Sequence, residues 1–166
     1  MKTENNLFWD GIKTPLGNMI LVWDQESLIT VGFKETSNLL YYKNAQKKEC
    51  PEQFSKAFED YFKGDIHALE NLPIKQKGSS FYCRVWKELR KIPFGETRSY
   101  SEIAKAVGNP KAVRAVGTAN AKNPHTLIVP CHRVIGKDGS LTGYGGGLKR
   151  KAWLLEHEGA SFGAFV

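Results

Sequence analysis

A short apolar stretch in the last third of the chain contains three side chains that could do chemistry. Residues 128–136 read Ile-Val-Pro-Cys-His-Arg-Val-Ile-Gly, so Cys131, His132 and Arg133 interrupt an apolar run. Such a run is expected to be buried, and buried polar groups cost free energy unless they find partners. A thiol beside an imidazole suggests nucleophilic chemistry, in which the base takes the thiol proton. A buried strand with an inert cysteine fits these nine residues about as well, since free cysteine is often buried.

The segments around this stretch are predicted to be mainly helical. Ser80 can cap a helix with an apolar face, and Ser99-Tyr100-Ser101-Glu102 matches a capping box that opens a second helix. Asn109 is expected to cap a third helix, which runs from Lys111 to Asn120. Two short helices around a glycine-containing turn predict a helix-turn-helix.

A last helix, Lys149 to Glu158, is predicted to end at Gly159. A carboxylate at a helix C-terminus is unfavourable with the helix dipole, so a cation or hydrogen-bond donor should compensate Glu158. His132 is the candidate donor, and Glu158 would then orient it as a base for Cys131. Neighbouring residues on a strand face opposite sides, so Cys131 and His132 would need a turn or an intervening water to act together.

The first half of the chain predicts a small mixed α/β unit. Four polar residues, Asp24 to Ser27, predict a hairpin turn, and Pro51 to Phe62 has the apolar spacing of a helix. The polar segment Asn71 to Ser79 is interpreted as a linker. The chain is therefore divided into an α/β domain of residues 1–75 and a mainly helical domain of residues 76–166, an α/β class overall. The predicted strands are Leu7 to Lys13, Met19 to Trp23 and Leu28 to Phe33.

Charge is distributed unevenly between the two halves. The chain has 166 residues, 41% of them hydrophobic, and a formal charge of +7. The part up to Ser79 holds 10 lysines, no arginine and 11 acidic residues, whereas the part from Ser80 has a net charge of +8 and every arginine. This asymmetry suggests a polyanionic partner for the second half, although a solvated basic face is an equally good explanation of charge alone.

The cysteines and the N-terminal residues indicate the cellular compartment of the protein. Three cysteines, Cys50, Cys83 and Cys131, are too few and too scattered for a disulfide framework, and none has the spacing of a zinc site. The N-terminal residues do not resemble a secretory signal, and no apolar run is long enough to span a membrane. These features predict a cytoplasmic protein without a metal.

Beyond these local patterns, the second half resembles a known family. Residues 128–136, the glycine-rich segment around Tyr144 and the segment Trp153 to Gly159 together resemble the O6-alkylguanine-DNA alkyltransferases, also called methylated-DNA–protein-cysteine methyltransferases. The resemblance is specific from about Phe81 to Gly159 and looser before that. It implies an RNase H-like fold for the N-terminal domain and a helix-turn-helix in the C-terminal one.

The resemblance also implies an enzyme that its own reaction consumes. Cys131 would attack the alkyl carbon of O6-alkylguanine in DNA, with O4-alkylthymine as a further candidate substrate. His132 would act as the base through a water molecule, and Glu158 would orient His132. The alkyl group would stay on sulfur and the base would be restored, so each chain would react once, with no cofactor and no metal.

Double-stranded DNA is the partner that the resemblance implies. A guanine inside a stacked duplex has to be flipped out before its O6 can be reached. Arg114 would enter from the minor groove and fill the vacated space, while Tyr100 would lie beside the flipped base. Asn123 would brace the junction between the second helix of the helix-turn-helix and Cys131. The pocket would be completed by Tyr144, by the backbone of Val134 and by the N–H of Gly145, where some relatives carry serine.

Three other functions stay open on the residues alone. Alkyltransferase-like proteins bind lesions without repairing them, but they carry tryptophan in place of the cysteine, so Cys131 argues against this class. A helix-turn-helix regulator with a redox-sensing thiol would bind one DNA sequence and oxidise reversibly. A thiol hydrolase built on Cys131 and His132 would turn over many times. A single permanent methyl group on the chain would separate alkyl transfer from all three.

Overall fold

The computed structural model describes residues 6–36 and 42–163, and these form two compact units. The first, here called the sheet unit, comprises Met1–Gln76 together with Pro124–Thr126. The second, the site unit, comprises Lys77–Asn123 and Leu127–Val166. Residues 124–126 belong to the sheet unit although they lie late in the chain. No pattern in the sequence predicts this.

A four-stranded sheet forms the centre of the sheet unit. Its strands are β1 (Phe8–Thr14), β2 (Gly17–Trp23), β3 (Leu28–Phe33) and β4 (Gln46–Lys47). They lie in the order β3-β2-β1-β4, and neighbouring strands are antiparallel except for β4, which runs parallel to β1. Strand β2 contributes most to the core, because all five residues from Met19 to Trp23 are buried.

The β2–β3 hairpin forms where the sequence predicts it. The Asp24 carboxylate accepts hydrogen bonds from the backbone N–H groups of Glu26 and Ser27, both at 2.8 Å, as expected of a turn residue. Helix α1 (Glu52–Phe62) follows Pro51 and buries Phe54, Ala57, Phe58 and Tyr61.

Part of the predicted linker belongs to the sheet unit. Leu28 at the start of β3 exchanges backbone hydrogen bonds with Pro73 and Lys75, at 2.8 and 2.9 Å. Further along β3, Val31 donates to the Pro124 carbonyl at 2.8 Å and accepts from the Thr126 N–H at 3.1 Å. Two separate segments are thus hydrogen-bonded to β3.

The site unit consists mainly of helices, with one short pair of parallel strands. Apolar spacing explains the first helix, which buries Val85, Trp86 and Leu89. The Trp86 indole N–H donates to the Ala119 carbonyl at 2.8 Å, which joins the first and third helices. In chain order the elements are α2 (Ser80–Leu89), β5 (Arg98–Ser99), α3 (Tyr100–Ala106), α4 (Val113–Ala121), β6 (Val134–Ile135) and α5 (Leu148–His157).

Two of the predicted helix starts are wrong. The cap of α2 is Ser79 rather than Ser80, and its side chain accepts from the Tyr82 N–H. The start of α4 is later than predicted, since Ala112 takes the cap position and Asn109 accepts a long 3.3 Å bond from the Lys111 N–H within the preceding turn. The capping box of α3 is present as predicted, with Ser99 and Glu102 bonded reciprocally.

Among the described residues, no helix has both the length and the apolarity that are needed to span a bilayer.

Candidate active site

Cys131, His132 and Arg133 form a single 3-10 turn rather than a strand. The turn closes through a hydrogen bond from the Arg133 N–H to the Pro130 carbonyl at 3.0 Å. Both Cys131 and His132 are buried, with 5% and 0% of their surface exposed. Because the backbone turns here, the alternation of a strand does not apply, and the two neighbouring side chains can serve one site.

Glu158, the residue that caps the C-terminus of α5, joins this turn from the other side. Its Oε2 lies 2.9 Å from His132 Nε2 and accepts from Arg133 Nη2 at 3.0 Å, while its Oε1 accepts from Arg133 Nε at 2.8 Å. Arg133 also donates to the Ile92 carbonyl at 2.8 Å. The structure therefore brings Glu158 and His132 together, and Arg133 is a second partner of the same carboxylate.

The charges in this cluster favour one protonation state. Burial alone would raise the pKa of Glu158, but His132 and Arg133 together hold it far below its usual range. Burial lowers the pKa of His132 and outweighs the carboxylate beside it. At neutral pH Glu158 is thus ionised and His132 neutral, so His132 Nε2–H donates to Glu158. His132 Nδ1 is then an acceptor, and it makes no hydrogen bond within the described part of the chain.

The Cys131 thiol is protonated in this environment. Burial raises its pKa, and Asn123 and Lys151 oppose that rise only partly. A thiol is a poor nucleophile until it is deprotonated. A reaction at Cys131 therefore needs a base that takes the thiol proton as the sulfur attacks. A neutral imidazole whose Nδ1 lone pair is free can act as that base.

Tyr100 reaches the site because β5 pairs with β6. Arg98 and Ser99 run parallel to Val134 and Ile135, directly after the cysteine turn. Tyr100 is the next residue, at the first position of α3. Its hydroxyl donates to the Thr142 carbonyl at 3.1 Å, and burial raises its pKa.

Two asparagines tie the C-terminus of α4 to the cysteine stretch. Asn123 Nδ2 donates to the Val129 carbonyl at 2.7 Å. A hydrogen bond from the Asn123 side chain also lowers the pKa of the Cys131 thiol, against the effect of burial. Asn120, which the sequence analysis did not single out, donates to the Cys131 carbonyl at 3.2 Å from a buried position. A polar residue on the buried side of a helix of small residues is the signal that could have identified Asn120.

The remaining candidate residues differ in burial and in their contacts. The Tyr144 hydroxyl is buried and has no hydrogen-bond partner among the residues that the structure describes. Its pKa is raised well above the usual value, first by burial and then by Cys131. The Val134 carbonyl accepts from Lys151 Nζ at 2.6 Å. Arg114, on α4, and Gly145, in the glycine-rich loop, are exposed.

The site thus combines a buried thiol with a buried histidine that is bonded to a carboxylate, and comparisons with known proteins identify the family of the chain. Residues 80–160 match the family described as 6-O-methylguanine DNA methyltransferase, DNA binding domain. The methylated-DNA–protein-cysteine methyltransferase of Haemophilus influenzae is 40% identical over 92% of this chain and 86% of its own. The constitutive one of Bacillus subtilis is 43% identical over 93% of this chain and 97% of its own.

Solved structures agree with these relatives. The crystal structure of Mycobacterium tuberculosis OGT in complex with DNA is 40% identical, covers 92% of each chain and superposes with a TM-score of 0.84. The chain belongs to the methylated-DNA–protein-cysteine methyltransferase family.

Proposed function

We propose that this protein repairs DNA by moving the alkyl group of O6-alkylguanine onto Cys131, in a single irreversible turnover that restores the base. The observation that carries the proposal is the buried Cys131 beside a neutral His132 whose Nε2–H is held by Glu158. Family membership supports the same reaction. O4-alkylthymine is a second candidate substrate.

The atoms balance without a cofactor. His132 Nδ1 takes the thiol proton, through a water molecule, as the sulfur attacks the alkyl carbon. A carbon–sulfur bond forms, the bond between that carbon and guanine O6 breaks, and its electron pair stays on guanine. Guanine then gains one proton, which replaces the one that the thiol lost. The thioether has no way back to a thiol, so the chain is spent.

Duplex DNA is the proposed partner, bound through α3 and α4 as a helix-turn-helix. The net charge of +8 after residue 79 supports a phosphate-contacting surface. Because O6 is inaccessible in a stacked duplex, the target base is flipped into the site. Arg114, exposed on α4, enters from the minor groove and fills the gap, a device that other minor-groove proteins use with apolar wedges.

The pocket for the flipped base is proposed from its border residues. Tyr100 turns its hydroxyl from Thr142 to the base, Tyr144 forms a wall, and the Gly145 N–H donates to guanine O6. The backbone of Val134 reads the guanine edge, and Asn123 couples α4 to the cysteine stretch.

The organisation around this pocket is part of the same proposal. The proposed domains comprise residues 1–75 and 76–166. An RNase H-like fold of the first domain is supported by its sheet, in which the fourth strand runs parallel to the first. We expect a monomer that works in the cytoplasm, on the nucleoid, without metal or cofactor.

A mass spectrum after mixing with a duplex that contains one O6-methylguanine tests the function. The expected result is one added methyl group per chain, on Cys131, with none on Cys50 or Cys83. Repeated turnover would indicate a hydrolase, tight lesion binding without mass change would indicate a binding module, and reversible oxidation with sequence-specific binding would indicate a regulator.

A further inference from the structure

Lys151 is a buried cation to which the proposed alkyl transfer assigns no role. It lies on α5 with none of its surface exposed. Its Nζ donates to the carbonyls of Val134 at 2.6 Å, Thr142 at 2.9 Å and Gly143 at 3.3 Å. A buried ammonium is tolerated only where its donors are satisfied, and here all three have acceptors.

The three carbonyls belong to the two segments that border the reactive cysteine. Val134 follows the cysteine turn directly, and Thr142 and Gly143 lead into the glycine-rich loop. Lys151 precedes Glu158 on α5 by about two turns. One helix thus holds the reactive segment at two points, with Glu158 at the turn and Lys151 just beyond it.

Tyr100 shares an acceptor with this lysine. Its hydroxyl and Lys151 Nζ both donate to the Thr142 carbonyl, at 3.1 and 2.9 Å, and Nζ lies 5.9 Å from the Tyr100 ring. When the hydroxyl turns to a flipped base, the Thr142 carbonyl loses one donor. Because Lys151 remains bonded to it, that buried carbonyl is not left unpaired, and the usual penalty of such a loss is avoided.

The charge of Lys151 also acts on the thiol. Burial raises the pKa of Cys131, and the ammonium opposes that rise. Burial in turn lowers the pKa of Lys151 to about 8, a fall that Cys131 limits. At neutral pH the lysine is therefore charged while His132 is neutral. The other titratable or charged groups around this cluster are Tyr100, Arg133, Tyr144, Arg150 and Glu158.

We propose that Lys151 is a positioning residue of the alkyl transfer. Its ammonium fixes the carbonyls on both sides of Cys131, leaves the Tyr100 hydroxyl available to the base and favours the thiolate as it forms. This inference rests on the proposed function and adds to it a residue that the sequence analysis did not identify.

Lys151→Met tests the proposal, because methionine keeps much of the buried volume but removes the charge and the donors. We expect the methyl-transfer rate from O6-methylguanine duplex to fall on the order of 100-fold, the loss that a misplacement of about 1 Å can cause. The apparent pKa of Cys131, read from the pH dependence of its reaction with a small thiol reagent, should rise. Lys149→Met, on the exposed side of the same helix, should leave this pH profile and the melting temperature unchanged.

An unchanged rate and pH profile in Lys151→Met would overturn the proposal, and so would a loss of thermal stability alone. A second variant, Lys151→Arg, keeps the positive charge at this position. The pH profile of Cys131 should stay closer to wild type in Lys151→Arg than in Lys151→Met, and equal shifts in the two variants would refute the charge effect. Methyl uptake by the wild-type chain is recorded separately, so a failure of the proposed function is distinguished from a failure of this inference.

Discussion

The two units use buried polar side chains differently. In the described part of the sheet unit these are Asp24 and His125. Asp24 accepts from the backbone of its own hairpin turn and from Lys75 Nζ at 3.4 Å, and His125 bonds to the Leu28 carbonyl at 2.9 Å. In the site unit most of them contact the cysteine turn or the segments beside it. The buried polar residues there are Asn120, His132, Ser140, Lys151 and Glu158.

This difference shows where the chain accepts the cost of desolvation. A side chain that completes a turn stabilises the fold, but a charge buried beside another charge is often no more stable than a packed apolar pair. Groups with strongly shifted pKa values tend to mark functional sites. Several such groups gather around Cys131 in the site unit, whereas the pKa of Cys50 in the sheet unit is raised mainly by burial. The sheet unit is therefore expected to be a scaffold.

The largest contrast should appear between the thiols of the two units. Cys131→Ala should abolish methyl transfer, because no other group can attack the alkyl carbon, while duplex binding remains. Cys50→Ser, in the sheet unit, should transfer at the wild-type rate, since burial and the neighbouring Asp10 carboxylate raise the pKa of Cys50 to about 11. Single-turnover assays with radiolabelled duplex measure both, and residual transfer in Cys131→Ala would contradict the assignment.

Buried carboxylates should give the next largest contrast. Glu158→Gln removes the charge that Arg133 and His132 both contact, and breaking a buried ion pair typically costs about 3–5 kcal/mol. The transfer rate at neutral pH should also fall, on the order of 100-fold, and recover partly in alkaline buffer as the thiol ionises without its base. Asp24→Asn keeps an oxygen for the turn, so it should cost about 1 kcal/mol and leave transfer unchanged.

The pH dependence of stability checks the same carboxylate. The pKa of Glu158 is lower in the folded protein than in the unfolded chain, so its contribution is complete above the unfolded value of about 4.3. It is lost as the pH falls through the folded pKa. Denaturant unfolding of wild type and Glu158→Gln should therefore differ most at neutral pH and converge in acid. A constant difference from neutral pH to strong acid would show that the ionised form is not what matters.

Local patterns predicted much of the fold and the reactive residues. The hairpin at Asp24, the capping box at Ser99 and the last helix each depend on neighbouring residues, and these are present as predicted. The start of α4 was wrong because Asn109 can bond to its own turn as readily as it can cap a helix. Side chain and backbone compete for the same N–H groups there, and the sequence does not show which wins.

Contacts between distant segments could not be predicted in the same way. Lys151 lies in a helix with Lys149 and Arg150, so its sequence suggests a solvated basic face, yet carbonyls from two separate segments surround it. The burial of Asn120 likewise depends on where the Cys131 turn packs. No periodic pattern in the sequence marks Lys151, because its acceptors are backbone carbonyls, which carry no residue signature.

Surface cations should show a smaller contrast. Arg114→Ala should slow repair of a duplex about tenfold or more, since unstacking a base step costs a few kcal/mol and the gap would stay unfilled. Repair of single-stranded substrate should change little, because it has no stack to refill. Lys63→Ala, an exposed cation of the sheet unit paired with Glu59, should affect neither substrate. An equal loss on both substrates in Arg114→Ala would remove the wedge role, and duplex affinity should in any case fall steeply with salt.

The smallest expected effect tests the glycine-rich loop against the sheet. A Cβ at Gly145 or at Gly32 would meet no atom within 4 Å, and neither glycine needs a left-handed backbone. Gly145→Ser and Gly32→Ser should therefore both fold with nearly unchanged melting temperatures. Only Gly145→Ser places a hydroxyl where the proposed pocket lets the backbone N–H alone donate to guanine O6, and one added hydrogen bond contributes about 0.5–1.5 kcal/mol net. Transfer by Gly145→Ser should speed up by a few-fold while Gly32→Ser matches wild type. If the two variants transfer at the same rate as each other, Gly145 does not face the reacting oxygen.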